Sequence, residues 1–254
     1  MQTQLDPRVY EILTIGVVQD LPFYIEVSQQ YNGPILDLGA GLGRISIPLL
    51  EAGHPVVLVD NNTHMCTEVA RRLSHLSEET LQRVWVIDSD ITQGTSLDID
   101  DLLLGSTDTL PKHFSLIILG LRTMHLFNED ERRQIFSLAK NQLKQGGALL
   151  LHYSDIANTP EQRYWSLVTE HPLEFGTIEV EECFFFHQPS QRYHLRHRLW
   201  QSNVDGQHIG SWRVAHNLYA IEKNTLIREL NEYGFTNINT HSLYGTESVI
   251  IAKL

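Results

Sequence analysis

The first half of the chain alternates short apolar runs with stretches of helical periodicity. Five such runs precede residue 156: GPILDLGAG, HPVVLVDNN, RVWVIDSDI, FSLIILGL and GGALLLHYSD. Amphipathic segments lie between them, and the clearest is NEDERRQIFSLAKNQLKQGG, in which Asn128 can cap a helix and Gly146 follows its last turn. Strands that alternate with helices are joined by crossovers and therefore run parallel. The pattern predicts a doubly wound α/β sheet.

The pattern changes after residue 156. Three alternating segments, GTIEVEECFFFH, QRYHLRHRLWQSN and HIGSWRVAHNLYA, predict antiparallel strands, and the pair DG at 205–206 favours a hairpin turn. A helix, KNTLIRELNEYG, and two strands, FTNINTHSLYG and ESVIIAKL, then return to the main sheet. We therefore predict one domain over residues 1–254. Its core, residues 1–156 and 222–254, has a seven-stranded, mostly parallel sheet, and an antiparallel three-strand insert occupies residues 157–221.

Composition limits the classes of partner. The 254 residues carry a formal net charge of −12, which opposes nucleic-acid phosphates and favours small or cationic partners. No run of about 18 apolar residues occurs, and the first residues lack the basic and apolar regions of a secretory signal. We expect a cytoplasmic protein without membrane or nucleic-acid association. Cys66 and Cys183 lie far apart without a C-x-x-C partner, so we expect reduced thiols.

A glycine-rich turn, LDLGAGLGR, follows the first predicted strand. The dinucleotide fingerprint G-x-G-x-x-G needs a small residue at the position that Arg44 occupies here. Gly39, Gly41 and Gly43 therefore suit a different nucleoside ligand, which can lie against the bare backbone. Ligands of doubly wound sheets bind beyond the carboxyl ends of the strands. Acidic residues stand at or after the ends of the first three strands: Asp37, Asp60 and Asp90.

These residues, together with LKQGGALLL near the fifth strand, resemble the class I methyltransferases that use S-adenosylmethionine, and the similarity covers nearly the whole chain. The segment 20–65 and the antiparallel insert are similar to small-molecule N-methyltransferases, the group that includes the glycine and sugar-amine enzymes. The resemblance implies a Rossmann-like fold, S-adenosylmethionine as the cofactor and S-adenosylhomocysteine as the product.

The chemistry of this cofactor suits the edge of the predicted sheet. Asp60 can accept hydrogen bonds from both ribose hydroxyls. Asp90 can accept one from the adenine amino group, a role for which Asp88 competes, and Ile91 can pack on the ring. Met65 could instead be a core residue. The predicted cofactor-binding residues are Asp37, Gly39, Ala40, Gly41, Gly43, Arg44, Asp60, Asn61, Met65, Asp90, Ile91, Gly120 and Leu121.

Candidates for the acceptor site close the fourth and fifth strands or lie in the N-terminal segment, which forms a lid over the cofactor in the enzymes that this chain resembles. The predicted catalytic residues are His125, His152, Tyr153 and Asp155. The predicted substrate contacts are Tyr10, Tyr24 and Arg122. Each of these could instead have a hydrogen-bonded structural role. Three arginines of the insert could hold a carboxylate or lie on a solvated strand face: Arg192, Arg196 and Arg198.

Other classes of methyltransferase fit less well. The segment GLRT stands where enzymes that methylate nucleic-acid bases resemble one another in an Asp/Asn-Pro-Pro-aromatic motif. Asp155 has no obvious second carboxylate for magnesium, and His194 and His197, three residues apart on a strand, point to opposite faces, so we expect no metal.

We predict methyl transfer to a nitrogen of a small-molecule amine. The alternatives are small-molecule O-methylation, an NAD-dependent oxidoreductase and a cofactor-binding module without chemistry. The insert also offers a surface through which copies of the chain could form a homo-oligomer.

Overall fold

The computed structural model describes residues 5–93, 97 and 101–254. The strands in this part of the chain are β1 (Ile35–Leu38), β2 (Val56–Asp60), β3 (Val84–Asp88), β4 (Leu102–Leu104), β5 (Phe114–Leu119), β6 (Leu143–Ser154), β7 (Gln162–Leu173), β8 (Gly176–His187), β9 (Arg192–Ser202), β10 (His208–Leu218), β11 (Thr236–Ser242) and β12 (Glu247–Lys253). The helices are α1 (Pro7–Thr14), α2 (Leu21–Ser28), α3 (Ser46–Glu51), α4 (Thr63–Leu73), α5 (Glu78–Leu81), α6 (Glu129–Gln142) and α7 (Lys223–Glu232).

The central sheet has the strand order β11-β12-β6-β5-β1-β2-β3-β4. Strands β1, β2, β3, β5 and β6 are parallel, whereas β12 runs antiparallel to β6, and β11 antiparallel to β12. The predicted doubly wound α/β class is confirmed. The count of seven strands is wrong by one, because Leu102–Leu104 adds a short antiparallel edge strand to β3. Three leucines among acidic and turn residues give too short a pattern to predict a strand.

Helices cover both faces of the central sheet. One buried cluster joins one face of the sheet to α6 and α7, and a second joins the other face to α2, α3 and α4. Helix α6 begins with the predicted Asn128 cap, whose side chain accepts from the backbone of Glu131 while the Glu131 carboxylate accepts from the backbone of Asn128. The helix ends at Gln142, before the predicted Gly146. None of the helices described is long and apolar enough to cross a membrane.

The insert is an antiparallel sheet with four strands in the order β10-β9-β8-β7, not the predicted three. Strand β7 was missed because it is an edge strand with two register shifts, so its apolar residues do not alternate cleanly. One apolar cluster of the insert packs against α1, and another lies beside Ile156, just after β6. Both cysteines are buried and free, as expected. The insert therefore stands next to the carboxyl end of β6.

Candidate active site

The glycine-rich turn lies at the point where the sheet changes winding direction. Strand β1 is flanked by β2 on one side and β5 on the other, and ligands of such sheets bind at this point. Gly39 and Gly41 have positive φ angles of 74° and 55°. A Cβ atom on Gly39 would lie 2.7 Å from the Thr123 methyl carbon, and one on Gly41 would lie 3.3 Å from the Tyr10 ring. Side chains at these two positions would fill the space above the turn.

Gly43 has a different role from the first two glycines. A Cβ atom there would lie 3.2 Å from the side chains of Leu58 and Val69, inside the core. Gly43 therefore serves close packing of the turn on the sheet. Ala40 donates its backbone N–H to the carbonyl of Val59, which fixes the turn to β2.

Asp60 ends β2 and holds the turn directly. Its Oδ2 accepts the backbone N–H of Gly41 at 2.8 Å, and its Oδ1 accepts that of Asn62 at 2.9 Å. Burial raises the pKa of Asp60, although the two backbone hydrogen bonds act in the opposite direction. Each carboxylate oxygen has a further lone pair for a diol beside the turn. The cradle above the glycines and this acceptor pair fit the nucleoside that the sequence predicts.

We expect Asp60→Ala to weaken binding of S-adenosylhomocysteine by about 1.5–3 kcal/mol, the range for hydrogen bonds to a charged group. Isothermal titration calorimetry on the folded variant measures this loss, with Asp108→Ala on an exposed loop as the control. A Kd equal to that of the parent protein would place the ribose elsewhere.

Asp37 lies inside β1 beneath the turn and is 2% exposed. Its Oδ2 accepts the Ser46 hydroxyl at 2.7 Å. Burial raises the pKa of Asp37 to about 6, despite this hydrogen bond. An ionised carboxylate at this position therefore lowers the stability of the fold above that pH.

Asp37→Asn should for this reason stabilise the protein in a pH-dependent way. Because the pKa of Asp37 is raised in the folded state, the stability that its protonated form contributes is fully present below pH about 4. This stability is lost as the pH rises through 6. At pH 8 the variant should gain up to about 3 kcal/mol in the free energy of unfolding, and almost nothing at pH 4. Urea unfolding at the two pH values measures the difference. An equal effect at both would contradict the assignment.

Residues after β2 and β3 form the side of the site opposite β5. The Asp90 carboxylate accepts from the backbone and hydroxyl of Thr92 at 2.9 and 2.7 Å, while Ile91 and Met65 are buried. Asn61 is exposed. The neighbouring Asn62, which was not predicted, caps α4 and donates to the carbonyl of Leu5. The adenine roles of Asp90, Ile91, Met65 and Asn61 stay predictions.

Arg44 forms a buried ion pair. Its guanidinium donates to both carboxylate oxygens of Asp20 at 2.6 and 2.8 Å and to the carbonyl of Val17 at 2.9 Å. Asp20 is completely buried. Arg44 is therefore not a solvated residue; it anchors the segment before α2 to the glycine-rich turn. Nothing in the sequence singled out Asp20.

The N-terminal segment covers the turn. Tyr10, on α1, lies against Gly41, and burial raises the pKa of Tyr10 to about 12. Tyr24, on α2, is instead buried in the interior, where its hydroxyl lies 3.2 Å from Nδ1 of His152. Tyr10 is placed to contact a ligand, whereas the structure contradicts the prediction that Tyr24 faces the substrate.

A polar network surrounds His152 at the carboxyl end of β6. His152 Nε2 lies 2.9 Å from a Glu247 carboxylate oxygen, which also accepts the hydroxyl of Ser154. The other Glu247 oxygen accepts from Arg122 at 3.2 Å. Burial alone would raise the pKa of Glu247, but the hydrogen bonds and the guanidinium bring it to about 2. Glu247, which the sequence analysis did not single out, is therefore a buried anion.

His125 is not available as a base. Its Nδ1 lies 2.9 Å from the carbonyl of Tyr219, and its Nε2 accepts the backbone N–H of Ser154 at 3.1 Å. Burial lowers its pKa to about 4. The imidazole is neutral and both nitrogens are engaged, so the structure contradicts a catalytic role for His125.

Tyr153 and His152 project to opposite faces of β6 because they are adjacent in a strand. Tyr153 packs in the cluster beneath α6 and α7, where burial raises its pKa to about 12. The carboxylate of Asp155 accepts from the side chain of Asn158. The structure therefore places Tyr153 near His125 and Asp155, on the face of β6 opposite to His152, and the catalytic roles of Tyr153 and Asp155 stay predictions.

A cavity of about 100 Å³ lies between the polar network and the insert. Arg122, Ser154 and Glu247 line it from the sheet, and Glu182 and Phe184 line it from β8. Arg122 follows Gly120 and Leu121, where an added Cβ on Gly120 would strike Ile45 and where Leu121 has a positive φ of 44°. The next residue, Thr123, lies against Gly39. The segment 120–123 thus connects the glycine-rich turn with the cavity.

The remaining polar residues of the insert are engaged elsewhere. His194 contacts Arg196 and Ser190, whereas His197 contacts Glu182. The guanidinium of Arg192 lies 4.1 Å from the Tyr219 ring, and that of Arg198 lies 4.2 Å from the Trp165 ring and pairs with Glu181. The part of the chain that the structure describes contains no group of three or more metal-ligating side chains. The three arginines of the insert are therefore engaged in ion pairs, hydrogen bonds or stacking on aromatic rings, and they do not lie on a free solvated face.

Comparison with known proteins finds similarity to methyltransferases. The family model described as a methyltransferase domain matches residues 35–147. Glycine/sarcosine N-methyltransferase of Halorhodospira halochloris is 24% identical over 224 residues, covering 86% of this chain and 71% of that protein.

Solved structures show the same fold at low sequence identity. The amino pentose methyltransferase CalS10 of Micromonospora echinaspora, solved with S-adenosylmethionine, has a TM-score of 0.73 at 13% identity, covering 100% of this chain and 99% of that chain. The glycopeptide N-methyltransferase MtfA, also solved with S-adenosylmethionine, has a TM-score of 0.60 at 18% identity, covering 92% and 86%.

Residues 35–147 match a methyltransferase domain, and the fold, the glycine-rich turn and these similarities together support an S-adenosylmethionine-dependent methyltransferase of class I.

Proposed function

We propose that this protein transfers a methyl group to a nitrogen of a small-molecule amine. The observation that carries the proposal is the cavity between β6, β12 and β8, which is lined by two carboxylates, Glu182 and Glu247, and which the segment 120–123 connects with the glycine-rich turn. An ammonium ion is attracted to such a site. The similar glycine/sarcosine and glycopeptide enzymes are named as N-methyltransferases, which supports the same acceptor atom here.

The cofactor site fits the chemistry that S-adenosylmethionine would bring. When bound, the cofactor supplies an electrophilic methyl group, and the acceptor lone pair forms the new bond while the C–S electron pair stays on sulfur. Gly39 and Gly41 would admit the methionine part, and Asp60 would accept the ribose hydroxyls. Tyr10 would close over the turn. These residues bind and orient; none of them needs to exchange a proton.

The state of the two buried histidines favours nitrogen over oxygen. Methylation of a hydroxyl generally needs a positioned base. His125 is neutral with both nitrogens engaged, and His152 lies between Tyr24 and Glu247. An amine that has released its ammonium proton to water has a nucleophilic lone pair and needs only alignment with the methyl group. We therefore assign no general base to either histidine.

For N-methylation, kcat/KM should rise with pH toward the pKa of the acceptor amine. His125→Asn should retain this profile, because the pKa of His125, about 4, lies outside the range in which the rate changes. The measurement is a pH–rate profile of parent and variant with the best amine acceptor. Loss of more than about 100-fold in kcat in folded His125→Asn or His152→Asn, together with the disappearance of a limb of the parent pH–rate profile, would show general-base chemistry and favour the O-methyltransferase alternative.

Two further expectations belong with this proposal. We expect a cytoplasmic enzyme, and we expect that copies of the chain associate, if at all, through the insert. Analytical ultracentrifugation of the purified chain tests the second.

A further inference from the structure

The acceptor cavity carries one more negative than positive side chain. Glu247 is paired through one oxygen with Arg122 and through the other with His152 and Ser154. Glu182 faces the cavity from β8, and its Oε2 lies 3.2 Å from Nε2 of His197. Burial alone would raise the pKa of Glu182, but His197 and the nearby Arg122 hold it below its ordinary value. Two carboxylates and one guanidinium thus line the cavity, and the guanidinium is paired with Glu247.

Most of the other residues that line this cavity are apolar, and the polar side chains among them, Ser154, Thr159 and Gln162, donate hydrogen bonds within the protein. Phe184, Leu195 and Leu218 are buried side chains of the insert's inner face, and Ile156 joins them from the segment after β6. The stacked ring of Tyr193 supports Phe184 at a centroid distance of 5.1 Å. A ligand that enters between the carboxylates therefore lies against hydrocarbon with the rest of its surface.

From the charges and the walls of this cavity we infer that the acceptor is a cationic amine on an apolar body, without a carboxylate next to the nitrogen. The inference rests on the proposed function and narrows it. A carboxylate beside the nitrogen would face Glu182 and Glu247, and the one nearby guanidinium, Arg122, is already paired with Glu247. Juxtaposed like charges disfavour binding at an interface. The acceptor class therefore differs from the amino acids in the name of the Halorhodospira halochloris relative.

Matched pairs of amines that differ only in a carboxylate test this inference. The pairs are phenethylamine and phenylalanine, isopentylamine and leucine, and methylamine and glycine, with sarcosine added. Each is incubated with the protein and S-adenosylmethionine, and mass spectrometry measures the methylated product. We expect kcat/KM for the two larger amines to exceed that of their carboxylated partners at least about tenfold, given the cost of like charges.

A second arm changes the charge of the cavity. Glu182→Gln should lower kcat/KM for phenethylamine at least about tenfold and reduce the preference over phenylalanine, because one carboxylate of the pair is lost. Glu179→Gln is the matched control, since Glu179 lies on the same strand and on its opposite face. Calorimetry of phenethylamine binding to each protein with S-adenosylhomocysteine present gives a readout separate from turnover. Thermal unfolding confirms that both variants fold.

The possible results distinguish a failure of the inferred acceptor class from a failure of the proposed N-methylation. Faster methylation of glycine, sarcosine, leucine or phenylalanine than of the plain amines would overturn the inference and leave N-methylation standing. Equal effects of Glu182→Gln and Glu179→Gln would also overturn it. Methylation of no amine by a protein that binds S-adenosylhomocysteine would remove both proposals.

Discussion

Gly41→Val should abolish binding of S-adenosylmethionine. Gly41 has a φ of 55°, a conformation that β-branched residues adopt at a cost of about 1–2 kcal/mol. A Cβ atom there would lie 3.3 Å from the Tyr10 ring, and the branched methyl groups would extend further into the space above the turn. Calorimetry with S-adenosylhomocysteine should therefore detect no binding.

The matched control separates backbone strain from the loss of space. Gly146 has a φ of 77°, and a Cβ atom there would meet nothing within 4 Å. Gly146→Val should thus have a backbone strain similar to that of Gly41→Val, but it should bind S-adenosylhomocysteine as the parent protein does. If folded Gly41→Val bound the ligand as well as Gly146→Val does, the glycine-rich turn would be only a connection between β1 and α3.

The sequence signals for the proposed cofactor side of the site are local. Gly39, Gly41 and Asp60 follow or end apolar runs, and parallel strands bring such positions to one edge. Even the role of Asp60 in fixing the turn follows from two strands that lie next to each other, β1 and β2. Positive φ at the glycines was the conformation that their residue type suggested.

The acceptor side could not be predicted in the same way, because its partners are distant in sequence. Glu247 reaches His152 only through the antiparallel pairing of β12 with β6, and Glu182 reaches the cavity only through the insert. The alternation along β6 was available in the sequence, and it would have separated His152 from Tyr153. The hydrogen bonds that occupy His125 depend on the backbone of Tyr219 and Ser154, which no side-chain pattern shows.

The buried pair of Asp20 and Arg44 is another long-range contact, and its loss should strongly lower stability. Removing one partner leaves the other charged and without its ion partner in the interior, which costs about 3–5 kcal/mol. Asp20→Ala should lower the free energy of unfolding by this amount, because it leaves the Arg44 guanidinium, 12% exposed, beside the carbonyl of Val17 alone. Urea unfolding followed by circular dichroism measures the change.

A double-mutant cycle distinguishes the pair from its surroundings. Asp20→Ala combined with Arg44→Met should cost less than the sum of the two single variants, since neither charge is then left alone. The exposed pair Glu129 and Arg133 on α6 is the control, and its coupling should be only about 0.3–0.5 kcal/mol. A loss below about 1 kcal/mol for Asp20→Ala would mean that water reaches Arg44 and that this pair does not hold the N-terminal segment to the turn. If the larger value is found, the segment that carries Tyr10 over Gly41 is fixed before any cofactor binds, and the single variants should also weaken S-adenosylhomocysteine binding.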